Sequence, residues 1–494
     1  MMLSNILQQN ISILKQIFKG DDTIRFREFG NKYNRSIKYC AIFADGMINK
    51  QILDEYILEQ LMNINFNNIN IQGDISPQNI LDVIMKKVTI TNEVKKESDV
   101  DKMIENMLYG ETIVLIDGIS EALVFDTKGW PVRAITDPPT EKSVRGSREG
   151  FTESIMSNTT LIRRRVKNKD LKFNFMEIGV RTKTIVSICY IEGIVSQEIV
   201  KELKHRLEKI NTDSVLESHY IEEFIKDSPL SLFNTIGYTE RPDVVAGKIL
   251  EGRIAVLCDG TPFVLTLPFI FWENFQVYED YYNNYIYATF NRLLRMLAFF
   301  LGISVPSLYV AVTSYHQELI PTSLLLSIYA ARLGIPFPTV VEAMIMILGF
   351  TLLSEAGLRL PQPVGEAVSI VGALILGEAV VNARIISAPM VIVVALTGIA
   401  SYLLPHMIGI FTILRILFII LAAMLGLYGY IFGIVGFFIY LASLRSFGVP
   451  YTLGLGIIND KDIKDTAIRV PWLFMNFRPK LIAKNKKRKS NQKN

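Results

Sequence analysis

Two acidic residues, Glu366 and Glu378, stand inside one apolar run, where a carboxylate either serves function or pairs with a cation. Carboxylates that line a membrane path favour cations. At about 100° per residue the two lie about 120° apart around a helix, so one narrow pore face cannot hold both. We therefore expect one to line a path and the other to pair with Arg384. Glu355 and Arg359, spaced i and i+4, predict a local ion pair. The residues alone leave a cation path and structural salt bridges equally open.

Other chemistry is not indicated. The sequence has no Walker-type phosphate loop, no dinucleotide fingerprint, no zinc-binding histidine pair at helical spacing and no nucleophile elbow. We therefore expect no enzyme, no cofactor and no metal site. Cys40, Cys189 and Cys258 are widely spaced in apolar runs, which predicts buried free thiols. The arginine run 163–165 is typical of a solvated helix C-terminus, so no nucleic-acid partner is expected.

The positions of lysine divide the chain. Lysine is absent between Lys248 and Lys461, and the same window is rich in Leu, Ile, Val, Ala, Gly and Phe. A charged ammonium is unfavourable in hydrocarbon, so a long lysine-free apolar block predicts a membrane-embedded region. The first thirty residues lack the apolar stretch of a signal peptide. We expect an integral membrane protein with a cytosolic N-terminal half.

The N-terminal half contains a weak internal repeat. A strand and turn, a helix and then a hairpin occur twice, at 38–62 with 112–125 and at 184–210 with 253–267. Asp117-Gly118 and Asp259-Gly260 supply the hairpin turns, because Asp and Gly tolerate positive φ. These patterns predict two related α/β subdomains, 1–135 and 136–285. The alternative is that such patterns are generic and the two parts are unrelated.

The C-terminal half predicts an all-α transmembrane domain, 286–445, followed by a basic cytosolic tail, 446–494. About four spans are expected, at 293–313, 364–381, 386–404 and 411–444. The last is too long for one upright span, and we expect it to bend or pack closely at its glycines, Gly426, Gly429, Gly433 and Gly436. Residues 320–360 are apolar, but prolines and charges interrupt them, so we expect two short helices that lie on the membrane or dip into it. A kink is expected at Pro306.

The placement of cations predicts the topology. Arg292 and Arg295 put the start of the first span inside, and the cation-free loop 314–321 outside. Arg384 puts the next loop inside, and the cation-free residues 405–409 lie outside. Both termini are then cytosolic, and Arg415 is the poor fit. The basic run 484–489 is expected to lie against anionic lipid.

Four contiguous runs resemble the A subunit of the GerA spore-germination receptor family: RGSREGFTESIMSNTTLIRRR (145–165), PDVVAGKILEGRIAVLCDGTPFVLTLPFIFWENFQ (242–276), EDYY (279–282) and EAGLRLPQPVGEAVSIVGALILGEAVV (355–381). The resemblance extends from about residue 130 to the end. It implies a receptor complex of the spore inner membrane that senses small nutrients, with a permease-like B subunit and a lipoprotein C subunit. It also implies that the B subunit binds the nutrient and that A subunits form a ring, proposed to be an ion channel.

The resulting hypothesis is a nutrient-gated channel subunit. The pore would be lined by a stripe on the second span, namely Glu366, Ile370, Ala373 and Gly377. The proline-broken segment around Pro336 and Pro338 is the candidate coupling element, because helices can reorient at such breaks. Two alternatives stay open: a scaffold that conducts nothing, and a secondary transporter, for which no internal repeat is evident in the membrane half.

Overall fold

The computed structural model describes residues 2–34, 36–65, 80–81, 83–85, 94–129, 141, 144–359, 377–453, 465–478 and 481–484. Two β-sheets lie in the N-terminal half, and the C-terminal half is helical.

The first α/β unit is built around a five-stranded sheet with the order β1-β2-β4-β5-β3. All of its strand pairs are antiparallel. In chain order its elements are α1 (Leu7–Ile17), β1 (Ile24–Gly30), β2 (Lys38–Ala44), a π-helical stretch (Ile52–Leu58), α2 (Glu59–Asn63), β3 (Val94–Glu97), α3 (Val100–Leu108), β4 (Thr112–Ile116) and β5 (Ala122–Phe125). The sheet is apolar on both faces, and helices cover each face.

The second α/β unit repeats this layout. Its sheet has the order β6-β7-β9-β10-β8, which is the order of the first sheet shifted by five strands. Its elements are α4 (Ile155–Arg165), β6 (Leu171–Ile178), β7 (Thr184–Ile191), α5 (Gln197–Glu208), α6 (Ser218–Ile225), β8 (Gly237–Thr239), α7 (Pro242–Leu250), β9 (Ile254–Cys258) and β10 (Val264–Leu267).

The repeat extends to individual hydrogen bonds. Asn10 accepts from and donates to the backbone of the residue six positions earlier, at 2.9 and 2.6 Å, and Asn158 does the same at 2.8 and 2.6 Å. The hairpin aspartates also match, because Asp117 accepts from the first backbone N–H of α1 and Asp259 from that of α4. Each aspartate contact satisfies an amide that a helix start would otherwise leave unpaired. The generic alternative would not predict these shared details.

A buried ion pair joins the two units. The Arg163 guanidinium in α4 contacts Asp21 at 2.8 Å and donates to the Thr23 hydroxyl at 2.7 Å. Both charged side chains are nearly inaccessible. Arg163 belongs to the run that we expected to be a solvated helix C-terminus, so that expectation is wrong for this residue.

The helical half begins with α8 (Tyr285–Tyr315) and continues through α9 (Thr322–Arg332), α10 (Thr339–Arg359), α11 (Ala388–Tyr402), α12 (Ile408–Leu425) and α13 (Leu427–Ser443). A short hairpin, β11 (Arg445–Ser446) and β12 (Val449–Pro450), follows. Within the described residues three stretches are long and apolar enough to cross a membrane: Tyr285–Tyr315, Thr339–Gly357 and Pro405–Leu425. Ala388–Tyr402 and Leu427–Ser443 are shorter apolar helices.

The bundle has a proximal end, which contacts the second α/β unit, and a distal end. His406, in the turn between α11 and α12, approaches the Tyr238 hydroxyl of β8 at 3.3 Å, so this turn is proximal. The turn between α12 and α13 is distal, because Gly426 lies against His316 at the end of α8. Since α12 starts at the proximal end and α13 returns to it, the two form an antiparallel hairpin.

Three predictions about the bundle are wrong. The segment 411–444 is two helices rather than one bent span, because Gly426, one of the glycines at which a bend was expected, separates α12 from α13 at φ 60°. Residues 405–409, expected outside, lie on the same side as the α/β units. Arg384, expected inside, packs against Gly334 at the distal end. The prediction for the loop after the second span depends on one cation, Arg384, and the contact of that side chain with Gly334 decides where it lies.

The expectation for residues 320–360 also needs correction. α9 is short, but α10 has 21 residues and contains one of the stretches long enough to cross a membrane. Arg332 and Glu342 are two of the charges expected to interrupt this apolar segment. They contact each other at 3.3 Å, so the charges pair instead of preventing burial.

Candidate functional site

The predicted pore stripe lies largely outside the described residues, which include only Gly377 of its four members. The described residues resume at Gly377 in a helical stretch, 377–382, and a Cβ on Gly377 would lie 3.9 Å from the Val391 side chain in the first turn of α11. That position is near the distal end. Before residues 360–376, the Ser354 hydroxyl near the end of α10 lies 3.1 Å from the Tyr402 hydroxyl at the end of α11. This contact is at the proximal end of the bundle. The described chain therefore stops at one end of the bundle and resumes near the other.

The ion-pair candidates divide into two groups. Glu355 and Arg359 contact each other at 2.6 Å, with side chains that are 55% and 78% exposed, so the pair lies on the outer surface of α10. Among the ion pairs of the described residues, none joins Glu378 to Arg384. Both of these side chains are exposed, and the Arg384 guanidinium approaches Gly334.

The coupling candidates, Pro336 and Pro338, lie in the distal turn between α9 and α10. The Pro338 carbonyl accepts from the backbone N–H groups of Val341 and Glu342, so this proline immediately precedes α10 rather than kinking a helix. The turn is at the opposite end of the bundle from the α/β units.

A buried arginine joins three helices inside the bundle. Arg415 of α12 is 3% exposed, and its guanidinium donates to the Gly302 carbonyl of α8 at 2.5 Å. It also donates to the Thr397 carbonyl and the Ser401 hydroxyl of α11, at 2.8 and 2.7 Å. Within the described residues no carboxylate lies at ion-pair distance from it. Neutral acceptors alone therefore surround this cation.

A proline explains why one of those acceptors is available. Pro306 lies inside α8 and has no backbone N–H, so the carbonyl four residues earlier, that of Gly302, loses its helical partner. Arg415 donates to that carbonyl. The close approach of α8 and α12 requires glycine here, because a Cβ on Gly302 would overlap the Phe411 ring. The expected disturbance at Pro306 is therefore stabilised from the neighbouring helix.

A second buried polar cluster lies at the distal end. Glu342 of α10 is fully buried and accepts from the Ser387 backbone N–H and hydroxyl, at 2.9 and 2.8 Å. Its other oxygen contacts Arg332 of α9 at 3.3 Å. This carboxylate caps the start of α11 and holds α9 against the bundle.

The proximal end carries a third charged cluster. Asp280 receives hydrogen bonds from Arg292 at 3.0 Å and from Arg295 at 2.9 and 2.7 Å. Arg292 also reaches Asp465 at 3.1 Å, and the Tyr281 hydroxyl donates to the same carboxylate. Burial raises the pKa of Asp465 to about 6, although Arg292 acts in the opposite direction. The cluster fastens the chain that follows the bundle to the base of α8.

A cavity of about 280 Å³ lies between the second α/β unit and the proximal turn 403–407. Tyr238, Lys248, Glu273 and Trp472 contribute to its walls, together with His406. Lys248 and Glu273 contact each other at 3.3 Å, and burial lowers the pKa of the Lys248 amine. These two charged groups of the wall are thus paired with each other.

The remaining reactive residue types do not form a chemical site in the described part of the chain. All three cysteines are free and buried. Burial raises the pKa of Cys40 and that of Cys258 to about 12, so both thiols are protonated at neutral pH. No group of three or more His, Cys, Asp or Glu residues is placed to hold a metal ion among the described residues.

Comparison with known proteins decides the family. A sequence model described as "Bacillus/Clostridium GerA spore germination protein" matches residues 12–481. The chain belongs to the GerA family of spore germination proteins. Spore germination protein KA of Bacillus subtilis (strain 168) is 42% identical over 98% of this chain and 88% of its own length. Spore germination protein GerLA of Bacillus cereus is 37% identical over 94% of this chain and 92% of its own length.

The predicted resemblance to a GerA-family A subunit is confirmed by these relatives. A crystal structure of the N-terminal domain of the A subunit of the Bacillus megaterium spore germinant receptor GerK3 is also similar. It is 36% identical, covers 55% of this chain and 98% of that one, and has a TM-score of 0.44.

Sequence reasoning missed most of the buried charges of this GerA-family chain. Arg415 was noticed only as a misfit in the topology, although Pro306 signalled an unpaired carbonyl that needs a donor. Glu342 is predicted only as one of the charges that interrupt the apolar residues 320–360. No local sequence pattern indicates the role of Asp465, because its partner Arg292 is 173 residues away.

Proposed function

We propose that this chain is the A subunit of a nutrient-germinant receptor in the spore inner membrane. It would act with a permease-like B subunit and a lipoprotein C subunit, with both termini in the cytosol. Several copies would form a ring around an ion path that opens when a partner captures a nutrient. The observation that carries the germination role is the match of almost the entire chain to proteins named for spore germination.

The buried charges of the described bundle favour a path between copies over a path through one chain. Arg415 is held by three acceptors of neighbouring helices, and Glu342 by Ser387 and Arg332. A cation that passed these groups would have to break those contacts and pass a buried arginine. A path between copies in a ring would leave these contacts intact and would not pass the buried arginine.

The described residues on either side of the second predicted span are consistent with its crossing the membrane. Ser354 lies proximally and Gly377 near the distal end, as the ends of a crossing segment would. In the proposal, residues 364–381 cross the membrane with the predicted stripe, Glu366, Ile370, Ala373 and Gly377, toward the path.

Bulky substitution tests this lining. Ala373→Trp should block ion release from germinating spores while the receptor still assembles. The matched control is Ala367→Trp, which lies about 100° from Glu366 around the same helix and off the stripe. Unchanged ion release in a fully assembled Ala373→Trp receptor would refute this helix as the pore. Conductance of the purified chain in planar bilayers separates a channel from a scaffold, because a scaffold passes no current.

A further inference from the structure

The segment that follows the bundle exposes an unusual density of large apolar side chains. Trp472, Leu473 and Phe474 form one 3₁₀ turn and are 54%, 75% and 60% exposed. Ile468 and Phe477 on either side are exposed as well. A contiguous exposed apolar surface of this kind indicates a partner or a membrane. The predicted lipid contact of residues 484–489 does not include this segment.

The position of this segment relative to α8 indicates a membrane rather than a protein partner. The Arg469 backbone N–H donates to the Thr289 hydroxyl at 3.2 Å, beside the second turn of α8. The Trp472 ring packs on Tyr281, with centroids 5.7 Å apart. α8 has further exposed apolar residues from Tyr285 onward, including Phe290. The segment therefore adjoins the point where the longest apolar helix of the described chain begins.

We propose that residues 468–477 form an interfacial membrane anchor, in which Trp472, Leu473 and Phe474 enter the headgroup layer of the proximal leaflet. Tryptophan and other aromatic rings are enriched at that level because they combine an apolar body with a polar edge. The chain downstream is basic: Arg478, Lys480 and Lys484 precede the run that ends at Lys489. Cations next to an apolar surface favour anionic lipid. Continuity with α8 and this charge favour lipid over a protein partner.

The anchor is fixed to the protein at both ends. Upstream, Asp465 is bound by Arg292 of α8. Downstream, the Lys484 backbone N–H donates to the Ile194 carbonyl at 2.8 Å, and Ala483 forms an isolated antiparallel β-bridge with Val195. Ile194 and Val195 belong to the second α/β unit. An inserted anchor would therefore hold this unit at a set height above the bilayer. This role does not require the ring or the ion path of the proposed function.

The three tryptophans of the chain allow a direct test. Trp130→Phe with Trp272→Phe leaves Trp472 as the sole tryptophan. The full chain is reconstituted in phosphatidylcholine vesicles containing lipid brominated near the headgroup end of its acyl chains. We expect Trp472 to lose most of its fluorescence, and to lose less when the bromines are near the bilayer centre. Fluorescence equal to that in unbrominated vesicles would overturn the proposal and indicate burial against protein.

The control moves the tryptophan to the first α/β unit. Tyr33→Trp, at an exposed position of that unit, is made in a chain whose three tryptophans are phenylalanine, and it should not be quenched. If the multiple variants fail to fold, Leu473→Cys labelled with a fluorophore in the otherwise native chain gives the same readout, because the native cysteines are buried. Anionic phosphatidylglycerol should increase quenching at low salt. Quenching that is indifferent to lipid charge would overturn the anionic preference.

Discussion

The contact between Arg415 and the Gly302 carbonyl makes a quantitative prediction. Arg415→Met removes the donor and leaves an apolar side chain of similar length. Thr397 and Ser401 keep partners, because the Ser401 hydroxyl donates within α11 to the Thr397 carbonyl at 2.8 Å. Only the Gly302 carbonyl is left without a donor. An unsatisfied buried polar group costs about 1–3 kcal/mol, and we expect the variant to lose that much stability.

The second half of the test uses Pro306. Pro306→Ala restores the backbone N–H that can donate to the Gly302 carbonyl through the helix. Once that N–H is present, Arg415→Met should be less destabilising, because the carbonyl keeps a partner. The two substitutions should therefore couple by about 1–2 kcal/mol in a double-mutant cycle.

The assay is the equilibrium unfolding of the detergent-solubilised chain, followed by the far-ultraviolet circular dichroism of its helices. Arg415→Lys is the matched control, since it keeps the charge but lacks the planar fork that reaches two helices at once. We expect it to fall between wild type and Arg415→Met. Strict additivity of Pro306→Ala and Arg415→Met would refute the argument, because it would mean that the carbonyl is not what Arg415 satisfies.

Three further outcomes are expected. Gly429→Ala should destabilise the α12–α13 hairpin by about 1–3 kcal/mol, because its Cβ would overlap a carbonyl of the facing helix. Gly436→Ala, whose Cβ meets nothing within 4 Å, should be neutral in the same unfolding assay. The raised pKa of Asp465 means that the folded chain binds this proton more tightly than the unfolded chain, so wild type loses stability as pH rises from about 4 to about 6. Asp465→Asn does not titrate, so its melting temperature relative to wild type should rise over that window, and a constant difference would contradict the assignment. Cys40 and Cys258 should react with iodoacetamide at pH 7.5 only after unfolding, and rapid labelling of the native chain would show that they are not buried.

The α/β half was predictable because its signals are local. The Asp-Gly pairs at 117 and 259 supply hairpin turns, and both are observed at the ends of β4 and β9. The matched strand orders then follow from two sequences with the same succession of elements. The domain boundaries at 135 and 285 stay predictions.

The bundle was less predictable because its determinants are distant contacts. Hydropathy cannot distinguish one long helix from a hairpin when the break is a single glycine such as Gly426. Counting cations cannot place a loop whose only cation, Arg384, is held by a neighbouring turn. A lone charged residue in an apolar stretch is unfavourable inside a membrane, but Glu342 has two partners, Ser387 and Arg332, and is buried.

The geometry of the proximal end bears on how a signal could enter the bundle. The second α/β unit meets the bundle at the base of α8, through Asp280 and Arg295, and at the start of α12, through Tyr238 and His406. We therefore expect a rotation of that unit to be transmitted to α12, the helix whose Arg415 joins α8 to α11. Pro336 and Pro338 are at the distal end, so motion of the α/β unit could reach them only through the packed helices. Their coupling role stays a prediction, and it fits a signal that arrives from the distal side or within the membrane better than one from the α/β units.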